Sequence, residues 1–409
     1  MDHLIERTQP LEWLTRWRDH DLIKVITGVR RCGKSTLLRQ FAERIVASGV
    51  PRERIIAINL EDPAHRALLR EPLALYDAVV ERIAPGQRHY VFIDELQNAP
   101  EFERTADGLF IRPDVDLYVT GSNSGLLSGD LATLLSGRYV QLPLLPFSFA
   151  EYLAAIRSTP DREPTSREAA FAHYLQRGGF PYAAQLGADE DVATYLDGIL
   201  ATVLYRDVME RQQIRDGRVF TSVVDYLADN IGNLTTAKTI ADTLTSSGRK
   251  ISPAAVETYL EALTSANLVH LVPRYDLRGK RVLSRTEKCY LVDTGLRTAI
   301  LGGQVRDQGR LLENVVYLEL LRRGHTVRVG RYRDLEIDFV TTGRNGTQYI
   351  QVAETVLDEN VLARELAPLV AVPDHYPRLL LTLDPVDPVD HDGITQRNIT
   401  NWLTENNVA

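Results

Sequence analysis

The sequence predicts an α/β protein whose N-terminal part is a P-loop domain on a parallel sheet. Three observations carry that prediction. The segment DLIKVITGVRRCGKSTLLRQF passes from a β-branched run through a Gly-containing turn into an apolar-periodic pattern. The segment YVFIDE sets four apolar residues before two carboxylates, and DLYVTGSNS ends a third apolar run in small polar residues.

Each element follows from its residues. Leu22 to Thr27 reads as a buried strand, and an apolar-periodic helix runs on through Ile45. Between them, Gly28, Val29, Arg30, Arg31, Cys32, Gly33, Lys34, Ser35 and Thr36 form the expected nucleotide-binding stretch. The glycines let backbone N–H groups curl around a β-phosphate, Lys34 reaches the β- and γ-phosphates, and the Ser35 hydroxyl ligates Mg²⁺ at a helix N-terminus. Tyr90 to Ile93 is a central strand that delivers Asp94 and Glu95 to the same edge of the sheet. Asp94 is the expected Mg²⁺ residue, and Glu95 would orient and polarise an attacking water. A kinase has little use for such a glutamate, so the pair favours hydrolysis over phosphate transfer. At the end of Asp116 to Thr120, Ser122 and Asn123 would fix that water from the other side; a plain helix cap is the alternative. Arg138 closes the next helical stretch, either as a cation reaching a γ-phosphate in a neighbouring subunit or as a helix C-terminal cap.

Composition limits the rest. With 44% hydrophobic and 25% charged residues over 409 positions, two or three conventionally folded domains are expected. There is no signal-like N-terminus and no apolar run long enough to cross a membrane, so a cytoplasmic location is expected. Cys32 and Cys289 lie far apart in dissimilar contexts, which leaves two reduced thiols. The net charge of −8 argues against a chain that coats nucleic acid with its whole surface. From Arg274 to Arg333, however, twelve Arg and two Lys face six Asp and Glu, which reads as a solvated basic face or a docking surface. A DNA or protein client is accordingly expected through residues 218–333. Lysine is scarce: six of 47 basic residues.

The runs GVRRCGKSTLL, YVFIDELQNAPEF and LYVTGSNSGLLSGDLATLLSGRYVQLPLLPFSFAEYL, with RGGFPYA, TVLYRDVMER and LLENVVYLELLRRG further on, resemble bacterial and archaeal AAA-type ATPases that carry a C-terminal domain of unknown function. The resemblance covers most of the chain. It implies a five-stranded parallel sheet of the additional-strand catalytic-glutamate type, a helical lid and a C-terminal domain like that of restriction endonucleases. It also implies an ATPase using ATP with Mg²⁺, with Asn59 holding Glu95 inactive and Arg177 acting as a lid arginine; a homo-oligomer is expected separately, from Arg138 acting on a neighbouring subunit.

The expected domains are 1–157 for the ATPase, 169–215 for the lid, 216–300 for a winged-helix-like module and 308–409 for the nuclease-like end. Arg157 to Glu168 is a polar, Pro-containing linker. Between Val219 and Val272 three helical patterns, the last opened by Ser252-Pro253, lead into LVHLVPRY, the basic turn LRGKRVLSR and KCYLVD. That order describes a winged helix, with Arg278, Lys280, Arg281 and Arg285 on the wing.

The last segment resembles restriction-type nucleases in its order of a helix glutamate (Glu313) and a strand aspartate (Asp338). Where those nucleases continue with Glu-x-Lys, this chain has Gln351-Val352-Ala353. Cleavage needs carboxylates for a divalent ion and a cation near the phosphate, and no lysine follows Lys288. The expectation is a nuclease-like fold kept for recognition.

Overall fold

The computed structural model describes residues 5–122, 137–158, 165–303, 307–344, 346–386 and 388–405; the side chains of 284 and 285 are outside the description. The chain divides into two compact units, residues 1–144 with 265–267, and residues 145–264 with 268–409.

The first unit is a parallel sheet of five strands: β1 (Ile23–Thr27), β2 (Ile55–Asn59), β3 (His89–Asp94), β4 (Val115–Gly121) and β5 (Tyr139–Pro143). Their order is β2-β3-β4-β1-β5, so β4 is the additional strand between β1 and β3. Because all five strands run the same way, their C-terminal ends share one edge, the edge on which such sheets bind ligands. β1 and β3 are buried throughout, and most of their residues are apolar for this reason. Ile23, Val25, Ile58, Val91, Ile93, Leu117 and Val119 form the core on one face.

Lys24 interrupts that apolar pattern, yet its side chain is fully buried. Its ammonium donates to the His20 carbonyl at 2.7 Å and pairs with the equally buried Asp116. Asp116 also accepts from Tyr118 Oη at 2.8 Å and from the Asp19 N–H at 2.9 Å. Burial pushes the Lys24 ammonium below its usual value, and Asp116 only partly opposes that shift.

The second unit holds one nine-stranded mixed sheet. Its strands are β6 (Leu234–Thr235), β7 (Val269–Asp276), β8 (Arg281–Leu291), β9 (Thr326–Tyr332), β10 (Leu335–Gly343), β11 (Gly346–Val352), β12 (Arg378–Thr382), β13 (Val389–His391) and β14 (Ile394–Asn398). The order is β13-β14-β12-β11-β10-β9-β7-β8-β6. This departs from the division expected at residues 300–308. β7 pairs in parallel with β9, Arg274 opposite Val329 and Asp276 opposite Arg331, so the ribbon β7–β8 and the last strands are one layer. Likewise Phe149–Ser158, expected with the ATPase segment, belongs to the second unit. The helix Asp189–Thr202 continues as a π-helical stretch, Val203–Glu210.

Two glycine-containing segments interlock in this unit. Asp293 caps the helix Thr294–Ile300 by accepting the Leu296 N–H at 3.2 Å, and it also accepts the Gly179 N–H at 2.6 Å. Gly178, at φ +72°, lies so close that a Cβ there would stand 2.0 Å from Asp293 Oδ1; a Cβ on Gly295 would stand 2.3 Å from the Arg177 carbonyl oxygen. Gly295→Ala is therefore expected to destabilise the second unit by about 1–3 kcal/mol, because neither backbone can yield without breaking the cap. Chemical denaturation checks this, and a wild-type midpoint would contradict it.

Much of the arginine excess of residues 274–333 is internal. Arg297 is 1% exposed and donates to the Ala228 carbonyl at 2.8 Å. Arg322 donates to the Pro146 carbonyl at 2.9 Å, and Arg323 reaches the Trp402 carbonyl at 2.6 Å with its guanidinium 4.0 Å from that ring. The reading of the whole run as a solvated face is corrected accordingly. Arg278, Lys280 and Arg281, at the turn between β7 and β8, are exposed. No described helix is long and apolar enough to cross a membrane.

Candidate nucleotide site and a second charged cluster

The turn from β1 into the helix Lys34–Ala47 is shaped by two glycines. Gly28 lies against β5's exit: a Cβ there would stand 2.2 Å from the Leu144 carbonyl oxygen. Gly33 precedes the helix at φ +104°, a left-handed conformation that costs glycine little. Arg31, at φ +69°, and Glu95, at φ +56°, hold the same region without being glycine, a backbone cost typical of functional turns. Arg7, which sequence reasoning missed, braces the turn by donating to the Cys32 carbonyl at 3.2 Å. Burial pushes the Cys32 thiol up, so it is an inert packing group here.

Four side chains converge at the strand ends. Lys34 Nζ donates to the Gly28 carbonyl at 2.9 Å and lies 3.4 Å from Glu95 Oε1. The Ser35 side chain faces the Asp94 carboxylate and opposes the burial that raises its pKa, so the helix start and the β3 end come together. Thr120, another residue the sequence did not single out, accepts the Glu95 N–H at 2.9 Å and donates to Asp94 Oδ1. Ser122 acts through its backbone, donating its N–H to Glu95 Oε2 at 3.1 Å, while its hydroxyl is buried without a hydrogen-bond partner among the described residues. Asn123 lies outside the described residues.

The electrostatics separate the two acids. Burial dominates at Asp94 and pushes its carboxyl above the ordinary range, against Ser35 and Thr120. At Glu95 burial pulls the same way, but Lys34, Gln97, Arg30 and the Ser122 N–H outweigh it and hold the carboxyl below that range. Both acids and Lys34 are less than a tenth exposed. The arrangement suits a polyanion: a cation, a glycine-shaped turn at a helix N-terminus, and a hydroxyl–carboxylate pair of the chemistry that holds Mg²⁺.

Other expected residues are placed differently. Asn59 is exposed and accepts the Glu61 N–H at 2.8 Å; Gln97 takes the place on Glu95 that Asn59 was expected to hold, its Nε2 donating to Glu95 Oε2 at 2.5 Å. Arg30 pairs with Glu61. Arg138 pairs with Asp107 of its own unit at 2.5 Å and lies over the Phe110 ring; at 45% side-chain exposure this pair is worth about 0–1 kcal/mol and opens at little cost. Arg177 is bound within the second unit, 2.6 Å from Asp189 and on the Leu186 and Gly187 carbonyls.

A model described as an AAA domain matches residues 20–153. A second, described as a domain of unknown function (DUF8612), matches residues 168–307. The chain is 35% identical over 404 residues to an uncharacterized protein of Haemophilus influenzae, covering 98% of this chain and 99% of that one. It is 30% identical to an uncharacterized protein of Methanocaldococcus jannaschii, over 83% of this chain and 76% of that one.

The chain belongs to the AAA family of P-loop ATPases.

Among solved structures, the Walker-type ATPase of Pyrococcus abyssi shares the fold with a TM-score of 0.50 at 19% identity, over 73% of this chain and 96% of that one. In this AAA protein a second charged cluster lies in the C-terminal unit, where sequence reasoning left Glu313 and Asp338 without a cation. The cation is Lys288 of β8. Its ammonium lies 2.7 Å from Glu313 Oε1, 2.9 Å from Glu336 Oε1 and 3.4 Å from Asp338 Oδ1, with 3% of its side chain exposed. Burial alone would lower the Lys288 pKa, but Glu313, Asp338 and Glu336 hold it well above its usual value. Tyr290 also donates to Glu313. Gln351 is spent on neighbours, accepting the Asp338 N–H at 3.3 Å and donating to Glu365 at 3.1 Å. Lys288 precedes both carboxylates in the chain and reaches them because the β7–β9 pairing brings the earlier ribbon into this layer.

Proposed function

We propose that this AAA protein binds Mg²⁺-ATP, hydrolyses it, and uses the cycle as a conformational switch on a client held by its C-terminal unit. The observation that carries the reading is the meeting of Lys34 with Glu95 and of Ser35 with Asp94 at one sheet edge. In this reading Lys34 binds the β- and γ-phosphates, Ser35 and Asp94 are the residues that would hold Mg²⁺, and Glu95 orients the attacking water. The ion, when bound, supplies positive charge to the phosphates. The test is phosphate release by the wild-type chain against Glu95→Gln; equal rates would refute it.

A second reading, a slow ATP-gated scaffold that recruits a protein, draws on the engagement of both Glu95 oxygens by Lys34, Gln97 and the Ser122 N–H. Brisk turnover with no partner present would count against it. For the client, we favour DNA. The order of three helices and the ribbon β7–β8 suits a winged helix, and Arg278, Lys280 and Arg281 give it an exposed basic turn. Replacing all three by Ala is expected to weaken binding to duplex DNA and to lower the salt dependence of log K by about 2–3, since each lost phosphate contact removes about 0.9. Wild-type chain with Mg²⁺ or Mn²⁺ is expected to leave that DNA uncut, because Lys288 and Gln351 are already committed to the carboxylates. An unchanged salt slope, or cleavage lost in Asp338→Ala, would overturn this reading.

A further inference from the structure

Glu95 has two oxygens with different surroundings. Oε2 is held by two N–H donors, Gln97 Nε2 at 2.5 Å and the Ser122 backbone at 3.1 Å. Oε1 faces Lys34 Nζ at 3.4 Å. A bound γ-phosphate draws the lysine to itself, which leaves Oε1 the free oxygen and already turned toward the place where the phosphate arrives. The pinning of Oε2 therefore decides where Oε1 points.

Of the two pins, the Ser122 N–H is backbone on the strand end, and Gln97 is a side-chain choice. Gln97 lies on the turn Leu96–Asn98, directly after the left-handed residue Glu95. Its other amide atom, Oε1, is buried with no hydrogen-bond partner among the described residues. An unanswered buried acceptor costs stability, so an apolar side chain would serve the fold as well. What Gln97 does contribute is a donor to Glu95.

We propose that Gln97 is a positioning residue for hydrolysis: together with the Ser122 N–H it fixes Glu95 so that one carboxylate oxygen faces the attacking water. This rests on the ATPase reading above. The place at the end of β2 taken by Asn59 has no part in it, since Asn59 is turned to Glu61.

The experiment measures steady-state phosphate release from Mg²⁺-ATP by wild type, Glu95→Gln, Gln97→Met and Gln97→Glu, with thermal melting of each. Gln97→Met keeps the volume without the donor; Gln97→Glu keeps the shape and adds a repelling charge. Gln97→Met is expected to melt like wild type and Gln97→Glu somewhat lower, from the two carboxylates set side by side; both are expected to keep KM within about twofold and to lower kcat by about 10–100-fold, the scale for a misplaced catalytic group. A wild-type rate that Glu95→Gln abolishes, with both Gln97 variants at wild-type kcat, overturns the proposal while leaving the ATPase reading standing. Wild type and Glu95→Gln releasing phosphate equally defeats the ATPase reading and this inference with it. A Gln97 variant that loses kcat and raises KM in parallel also overturns it, because positioning of Glu95 touches the chemical step and not nucleotide affinity.

Discussion

Glu95→Gln is expected to bind ATP as tightly as wild type and to release phosphate at least 100-fold more slowly. The change is isosteric, and an amide oxygen can still accept from Gln97 Nε2 and from the Ser122 N–H, so the local geometry is kept. What is lost is the negative charge that polarises water, a contribution of about 10²–10⁴-fold for a positioned general base. Lys34 loses its carboxylate partner 3.4 Å away and is freer to meet phosphate, so affinity holds or rises. Nucleotide titration and phosphate release, measured on the same preparation, separate the two effects. A variant that no longer binds ATP, or one that hydrolyses it at the wild-type rate, would remove Glu95 from the role assigned to it.

Lys288→Met is expected to cost about 3–5 kcal/mol, the range for removing one partner of a buried ion cluster. Glu313, Glu336 and Asp338 would be left facing one another with no cation at 3.4 Å or nearer. In melting this is a loss on the order of 10 °C for a unit of this size. The pH dependence has a definite sign. Burial and then Glu313 already raise Asp338 above the usual carboxylate range. A carboxyl whose folded-state pKa exceeds its unfolded one takes up a proton on folding, so its unfavourable contribution disappears as pH falls through the raised value. The deficit of Lys288→Met is therefore largest near neutral pH and shrinks on acidification. Chemical denaturation of both proteins at several pH values checks this. Wild-type stability in the variant would mean that the cluster is not held by its lysine.

The nucleotide site was legible because its residues are neighbours in the chain. Gly28 to Thr36 form one turn and one helix start, and Asp94 and Glu95 are adjacent at one strand end, so residue type and spacing carry the chemistry. Even there, the partners of Glu95 were partly missed. Asn59 was expected beside it from resemblance, but it faces solvent at the end of β2; Gln97, two residues after Glu95, folds back through the short turn Leu96–Asn98. A left-handed φ at Glu95 makes that return possible, and nothing in an Asp-Glu-Leu-Gln string announces a positive φ.

By itself the sequence determined the strand–turn–helix at Lys34, the acidic strand end at Asp94 and Glu95, and hence the parallel sheet and the AAA family. These are local: each depends on contacts within a few residues, where the chain imposes the geometry. Only the tertiary structure decided the fate of the other charges. Lys24 reads as a flaw in a buried strand until Asp116 arrives from β4. Arg297, Arg322 and Arg323 read as surface until carbonyls distant in the chain claim them. Lys288 reads as the end of a ribbon until the pairing of β7 with β9 carries it among Glu313, Glu336 and Asp338. The physical reason is common to all: a charge is tolerated in the interior only where a partner meets it, and partners 25 to 176 residues away are supplied by strand order and helix packing, not by spacing along the chain.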